Sequence, residues 1–283
     1  MTGAQMDRRT ALALLGLSGL GPLAPLNTAT AAEPLPIFDA HIHYSHDAWE
    51  LVPPQQAVAI LRSAGLRGAL VSSSNDQGTQ MLMAEAPDLI VPELRPYRSR
   101  ADTSGWVREE AVTQYMQERL KRYRYVGVGE FHLYGDDADL PVPKRLVAMA
   151  REHVLVLHAH SDVAAIDKLF AQWPDARVLW AHSGFERPSV VREVMRRHPR
   201  LWSDLAYRSD HASGAKVDPA WLEAFQEFST RFVLGTDTFT PERWHYIGAH
   251  ASSSREWLAS LPPALANNLA WRNAEALLLG AKA

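Results

Sequence analysis

The sequence predicts a (β/α)8 TIM barrel. Short apolar runs alternate with longer amphipathic stretches from Glu33 to the end of the 283-residue chain. In the longer stretches the apolar residues recur at steps of three and four, as one buried helical face requires. Eight such repeats in about 250 residues match the size of this barrel, and crossover helices make neighbouring strands parallel. A doubly wound open sheet is the alternative, but the first predicted turn, DAHIHYSHD, lacks the Gly-rich phosphate-binding pattern of such folds.

The elements follow one another along a single domain, residues 33–283. The predicted strands are, in order, LPIFDAHIH, LRGALVSS, LIVPELRPY, YVGVGEFHL, HVLVLHAH, RVLWAHSG, LWSDLAY and RFVLGTDTF. The clearest helices between them are TSGWVREEAVTQYMQERLKRY, PVPKRLVAMAREH, SDVAAIDKLFAQW, RPSVVREVMRRH and DPAWLEAFQEF. Capping residues stand where two of these helices should begin, at Asp162 and at Asp218.

Residues 1–32 predict an export signal. The basic pair Arg8-Arg9 precedes an apolar, Gly-rich run, and small residues then form an A-x-A cleavage pattern ending at Ala31. DRRTALALL is similar to a twin-arginine signal, although the usual Phe after the pair is missing. The apolar run is short and broken by two prolines, which disfavours a membrane anchor. We therefore expect cleavage near Ala31/Ala32 and a periplasmic or secreted mature protein.

The composition limits the partners and the chemistry. The net charge is -3 and the pI is near 6.5, so nucleic acid or stable membrane anchoring is not expected, and a small-molecule substrate is. The oligomeric state is left open. Because the chain has no cysteine, disulfides and thiolate chemistry are excluded. Any metal must be held by carboxylates and by some of the 12 histidines.

Polar residues collect at the C-terminal ends of the predicted strands. In the first strand Asp39, His41 and His43 share one face, whereas Phe38 and Ala40 lie on the other, which should face the helices. The same alternation places further polar residues inward at the ends of four other strands: Glu130 and His132, His158 and His160, His182 after Val178 and Trp180, and Asp237. Barrel enzymes place their chemistry at this end of the strands.

Imidazoles and carboxylates in this pattern favour a metal site over its structural alternatives. Taken singly, a histidine could be a satisfied core residue, Asp39 a loop cap and Glu130 an ion-pair partner. Five strands with the same terminal polarity favour a site that binds zinc, or manganese or iron. A metal lowers the pKa of bound water to about 7, and a carboxylate such as Asp237 can take the proton.

At these residues the sequence resembles the amidohydrolase superfamily of metal-dependent barrels. The matching positions are the H-x-H pair His41 and His43, the strand-five His158, the strand-six His182 and the strand-eight Asp237. Within the superfamily it is most similar to the amidohydrolase-2 branch, which contains lactonases, other hydrolases and decarboxylases. WAHSGF and the C-terminal NNLAWRNAEALLLG are similar to elements of that branch.

The resemblance implies a divalent metal centre of one or two ions, zinc being favoured. Many two-metal members have a bridging lysine at the end of strand four. This sequence has Glu130 there instead, as the TatD-like branch has a bridging glutamate. This implies one ion on His41, His43 and Asp237, another on His158 and His182, and Glu130 between them. The alternative is a single ion on His41, His43, His158 and Asp237, with His182 in a catalytic role. His160 could replace His158 as the ligand; otherwise it contacts substrate.

Loop residues beyond the strand ends should contact the substrate. Tyr97 and Arg98 follow strand three, and Arg208 follows strand seven. Guanidinium groups bind carboxylates in two-pronged fashion, which favours a small anionic substrate; the alternative is a solvated basic loop.

The function implied is hydrolysis of an ester, lactone or amide by metal-activated water, with Asp237 as the proton shuttle. The alternatives are a non-oxidative decarboxylase, a TatD-like phosphodiesterase, and a barrel that binds metal or ligand without catalysis.

Overall fold

The computed structural model describes residues 33–280, in which eight parallel strands form a nearly closed barrel. Each strand pairs with the next one along the chain. They are β1 Ile37–His43, β2 Leu66–Ser72, β3 Ile90–Leu94, β4 Gly127–Leu133, β5 Val156–Ser161, β6 Val178–Trp180, β7 Leu201–Asp204 and, after a hairpin of β8 Ala212–Ser213 and β9 Lys216–Val217, β10 Phe232–Val233. The segment after β10 returns to β1, where the Asp237 N–H donates to the His41 carbonyl at 2.9 Å. This architecture is consistent with the predicted TIM barrel.

Helices lie between the strands, and local sequence sets where they begin. They are α1 Pro54–Ser63, α2 Gln77–Glu85, α3 Glu110–Arg122, α4 Pro141–Glu152, α5 Val163–Gln172, α6 Pro188–Arg197, α7 Pro219–Glu227, α8 Pro241–Trp244, α9 Ile247–Leu258, α10 Pro263–Asn267 and α11 Asn273–Leu278. Many begin at a proline, whose fixed φ suits the first helical position. The predicted caps are confirmed, because Asp162 accepts from the Ala165 N–H and Asp218 from the Trp221 N–H. The helix predicted from Thr103 begins only at Glu110, since Gly105 separates two 3-10 turns before it.

The route by which β1 brings its histidines inward differs from the prediction. Phe38 and Ala40, expected to face the helices, instead pack in a small cluster with Val156, Val233 and other strand residues, and with α11. The pairing of β1 with β2 shifts register between Asp39 and Ile42. Because of this shift, the two-residue alternation does not continue through the strand. Phe38 and Ala40 point inward near its start, and His41 and His43 point inward at its end.

Most of the core lies between the barrel and its helices. The large cluster contains outward strand residues such as Leu157 and Trp180 together with helical residues such as Leu61, Val194 and Phe225, all of them buried. The small cluster lies toward the N-terminal ends of the strands, opposite the polar ends. The barrel therefore has one apolar end and one end that carries the polar side chains.

None of the helices within residues 33–280 is long and apolar enough to cross a membrane. The export signal predicted for residues 1–32 lies outside the described residues and stays a prediction.

Candidate metal centre

Four side chains from β1, β4 and the segment after β10 bring donor atoms together at the polar end of the barrel. Nε2 of His41 and Nε2 of His43 are 3.1 Å apart. Each lies 3.5 Å from Oδ1 of Asp237. Glu130 completes the group, with its carboxylate oxygens 3.7 Å from His41 Nε2 and 3.2 Å from His43 Nε2. Ligands about 2.1 Å from a tetrahedral ion are about 3.4 Å from one another, so this donor set fits a divalent metal such as zinc.

Glu130 also connects this group to histidines of β5 and β6. Its Oε1 lies 2.9 Å from Nδ1 of His160 and 3.3 Å from Nε2 of His182. Nε2 of His132 is 3.8 Å from the same oxygen. The Glu130 carboxylate therefore belongs to two groups of three neighbouring donors. One group is Glu130 with His41 and His182, and the other is Glu130 with His132 and His160. Glu130 is thus the carboxylate common to both groups.

Arg95, at the end of β3, holds Glu130 in place. Its Nη2 donates to Oε2 of Glu130 at 2.7 Å, and its Nε donates to the Glu130 carbonyl at 3.0 Å. Both side chains are almost fully buried. A permanent cation thus fixes Oε2, which also faces His43, and leaves Oε1 to His41, His160 and His182.

His158 lies deeper in the barrel than the donors described above. Its Nδ1 is 3.0 Å from Glu93 and its Nε2 is 3.2 Å from Oδ2 of Asp204, so carboxylates occupy both ring nitrogens. The structure therefore brings together His41, His43, Glu130, His182 and Asp237 of the predicted ligands, and it brings His160 to Glu130. The predicted ligand His158 belongs to a separate group of three possible metal donors, with His41 and Asp204. Burial opposes protonation of His158, but the neighbouring Glu93 and Asp204 raise its pKa to about 9.

Asp204, at the end of β7, supports two of the donors from below. Its Oδ2 is 3.1 Å from Nδ1 of His41, and its Oδ1 accepts from the His182 N–H at 2.7 Å. Such a carboxylate fixes the tautomer and the ring orientation of a metal-binding histidine. The sequence pattern did not single out Asp204, although the predicted strand LWSDLAY carries this carboxylate where other strands carry their polar residues.

The turn that carries His182 has a left-handed backbone. His182, Ser183, Gly184 and Phe185 all have positive φ, between 51° and 63°. This costs of order 1–3 kcal/mol per non-glycine residue and persists only where surrounding contacts enforce it. Those contacts are present: Asp204 takes the His182 N–H, Ser183 donates to the Asp204 carbonyl, and an arginine donates to the His182 carbonyl. At Gly184 a Cβ would come within 2.1 Å of the Trp180 ring.

Burial and neighbouring charges shift the pKa values within the centre in different directions. Burial opposes a charge on His41, yet the nearby Asp237, Asp204 and Glu130 raise its pKa well above the usual value. Burial and the cation of Arg95 hold the pKa of His43 well below it. For Asp237, burial outweighs the histidines and raises the pKa of its carboxyl. A group that keeps a proton more readily than an ordinary aspartate suits proton transfer.

A cavity of about 510 Å³, which we name the mouth pocket, opens onto the donors. His43, Glu130, His160, His182 and Asp237 line it, together with His132, Arg95, Arg100 and three aromatic residues. Of the predicted substrate contacts, only His160 is among its lining residues.

The other three predicted substrate contacts are engaged elsewhere. The fully buried Tyr97 accepts the His132 N–H through its hydroxyl at 2.9 Å. Arg98 makes a two-pronged pair with Asp102, and Arg208 makes one with Asp210. Arg208 also donates to the His182 carbonyl at 3.0 Å, so it supports the turn that carries a predicted ligand.

Comparison with known proteins places the chain in a family. No curated protein matches it in sequence. In fold it is similar to an uncharacterised TIM-barrel protein from Bordetella bronchiseptica (TM-score 0.59, 16% identity, 88% of this chain and 100% of that one). It is also similar to a probable 2-pyrone-4,6-dicarboxylic acid hydrolase from Acinetobacter baumannii (TM-score 0.54, 13% identity, 86% of this chain and 98% of that one). A third similar structure is a TatD family hydrolase from Entamoeba histolytica (TM-score 0.54, 8% identity, 86% of this chain and 99% of that one). The amidohydrolase model Amidohydro_2 matches residues 38–279. The predicted resemblance is thereby confirmed: the chain belongs to the amidohydrolase-2 family.

Proposed function

We propose that the protein is a metal-dependent hydrolase that cleaves an ester, lactone or amide bond of a small molecule. The observation that carries the proposal is the set His41, His43 and Asp237, whose donor atoms lie 3.1–3.5 Å apart at the edge of the mouth pocket, with oxygens of Glu130 3.2–3.7 Å from the two imidazoles. Family membership and hydrolases among the similar folds support the reaction class.

The residues that would hold the metal follow from the geometry. One ion would be held by His41, His43 and Asp237, and another by Glu130 with either His41 and His182 or His132 and His160. When bound, a divalent metal would supply Lewis acidity, which lowers the pKa of water and polarises a carbonyl.

The side chains of the chain itself supply the proton transfers and the positioning. Asp237 lines the mouth pocket and, as an aspartate with raised pKa, would take a proton at its carboxylate and return it to the leaving group. His182 would present Nε2 to the metal centre, because its Nδ1 is 2.9 Å from the Ala206 carbonyl. Arg95 would keep Glu130 oriented throughout, since it holds both the side chain and the backbone of that residue.

The test is hydrolysis by metal-replete protein on a panel of neutral esters, lactones and amides. Asp237→Asn should retain the fold and lose turnover by at least about 100-fold, the usual contribution of a general acid–base group. Asp167→Asn, which changes an exposed aspartate on α5 paired with Arg197, is the matched control and should hydrolyse normally. Aromatic carboxylates and a phosphodiester belong in the panel as well. Turnover of only these, or of nothing, would refute the proposal.

A further inference from the structure

Three aromatic side chains form one wall of the mouth pocket and are unusually exposed. Phe185 is 52% exposed, Tyr207 53% and Phe239 37%, and all three line the cavity. Large aromatic residues are mostly buried, so a group of exposed ones beside a candidate active site indicates a binding surface. We name these three residues the aromatic wall.

The aromatic wall is continuous with the proposed metal ligands. The Phe185 ring stacks on the His182 ring, with centroids 4.7 Å apart and 17° between the planes. The Tyr207 ring is 6.4 Å from His182 and 5.9 Å from Phe239, in edge-to-face arrangements. A flat group placed against this wall would therefore lie directly beside the reacting bond.

Arg243 links the wall to Asp237. Its guanidinium lies 4.8 Å from the Tyr207 ring centroid and 5.3 Å from that of Phe239. Its Nε donates to the Asp237 carbonyl at 2.8 Å and its Nη2 to the Thr236 carbonyl at 2.7 Å. One residue thus fixes two of the wall rings relative to the proposed proton shuttle, so the wall is held in place before substrate binds.

The guanidinium groups of the mouth pocket are already paired. Arg95 is bound to Glu130, and Arg100 lies 2.6 Å from Asp47 and also donates to the Phe239 carbonyl. Arg98 and Arg208, which the sequence offered for an anion, are neutralised by aspartates. Among the residues that line the pocket, a substrate carboxylate would find no guanidinium that is not already paired with a carboxylate, which disfavours its binding against the aromatic wall.

From the wall and the paired charges together, we propose that the enzyme selects substrates in which the scissile carbonyl bears an uncharged planar group, such as an aryl ring. This inference rests on the proposed hydrolase function and names its substrate class. The planar group would lie against Phe185, Tyr207 and Phe239, where ring contacts favour offset-stacked and edge-to-face arrangements.

The test compares kcat/KM for methyl benzoate, methyl acetate and monomethyl terephthalate, each divided by its rate of uncatalysed alkaline hydrolysis. We expect benzoate to exceed both others, and Phe239→Ala and Phe185→Ala each to lower the benzoate-to-acetate ratio about tenfold, the size of one aromatic contact. Phe239→Tyr should restore the ratio. Tyr246→Ala removes an aromatic side chain of similar exposure (60%) that does not line the pocket, and should leave the ratio unchanged.

A second measurement separates this inference from the proposed function. Binding of benzamide and acetamide to the metal-replete protein is measured by calorimetry, which needs no turnover. Tighter binding of benzamide that is lost in Phe239→Ala would support the aromatic wall as a binding surface, even if no ester is hydrolysed. The absence of ester hydrolysis would refute only the hydrolase proposal. Equal binding of the two amides, unchanged ratios in both wall variants, or a preference for monomethyl terephthalate would overturn the inference.

Discussion

Replacing Asp204 with asparagine tests whether the centre depends on the carboxylate beneath it. Oδ1 of Asp204 accepts two backbone N–H groups, those of His182 and Ala206, at 2.7 and 3.0 Å. In Asp204→Asn the amide oxygen would keep this place, which turns the NH2 group toward Nδ1 of His41 and Nε2 of His158. An NH2 group only donates, so Nδ1 of His41 must become the acceptor. The proton of the neutral ring then resides on Nε2, the atom that faces the other donors.

The magnitude follows from that tautomer. A metal entering Asp204→Asn protein must first displace the proton from His41 Nε2, and loss of a supporting carboxylate typically lowers metal affinity 10–100-fold, about 1.4–2.7 kcal/mol. The side-chain volume is unchanged and both backbone hydrogen bonds are kept. We therefore expect the fold to survive while the affinity for metal falls.

The assay is a zinc titration of metal-free protein against a chelating dye, with circular dichroism to verify folding. Asp76→Asn is the matched control, because Asp76 is equally buried but binds Arg119 and Tyr125 instead of a histidine of the centre. It should lower stability and leave zinc affinity unchanged. An unaltered zinc affinity in folded Asp204→Asn protein would contradict the assignment of His41 as a ligand oriented by this carboxylate.

Three further predictions concern stability. His158→Leu removes the imidazole between two buried carboxylates and should lower the free energy of unfolding by about 3–5 kcal/mol in urea denaturation. The folded variant should keep its metal content. Loss of metal with little change in stability would instead make His158 a ligand. Burial is the main cause that lowers the pKa of His211 from 6.5 to about 4. Because the unfolded chain binds more protons in this range, the free energy of unfolding should fall by up to about 3 kcal/mol as the pH drops from about 6.5 to 4. His211→Gln should flatten that pH dependence, and an unchanged slope would exclude the residue as its source. Gly184→Ala forces a Cβ to within 2.1 Å of Trp180 at a φ of +63°, whereas Gly248→Ala adds a methyl within a helix and meets nothing within 4 Å; thermal denaturation should show a marked loss for the first and none for the second, and equal melting temperatures would refute the steric argument.

The barrel could be predicted because periodicity is a local property. Each apolar run and each amphipathic helix shows its pattern within about a dozen residues, and capping residues such as Asp162 and Asp218 act over three or four. What periodicity did not show is the register shift in β1 between Asp39 and Ile42, since a shift depends on how two strands pair. The left-handed turn at His182 also escaped it, because contacts from Asp204, 22 residues away, hold it.

The predicted Arg98 and Arg208 contacts show a second kind of limit. A guanidinium in a loop predicts an anion-binding group only if no carboxylate reaches it first. For Arg208 the partner, Asp210, stands two residues away, and for Arg98 the partner, Asp102, stands four residues away. Both pairs could have been suspected from spacing alone, whereas the pairing of Arg100 with Asp47 joins distant parts of the chain and could not.

The histidines of β5 show why inward direction does not by itself identify a ligand. His158 and His160 have the same parity, so alternation gives both the same direction. They differ by two residues in depth, about 6.6 Å along a strand, and in a barrel each such step is a different layer of the interior. At the deeper layer His158 meets Glu93 and Asp204, whereas one layer higher His160 meets Glu130 at the mouth pocket. Depth is set by the stagger of all eight strands, so only the assembled barrel decides which histidine reaches the shared carboxylate.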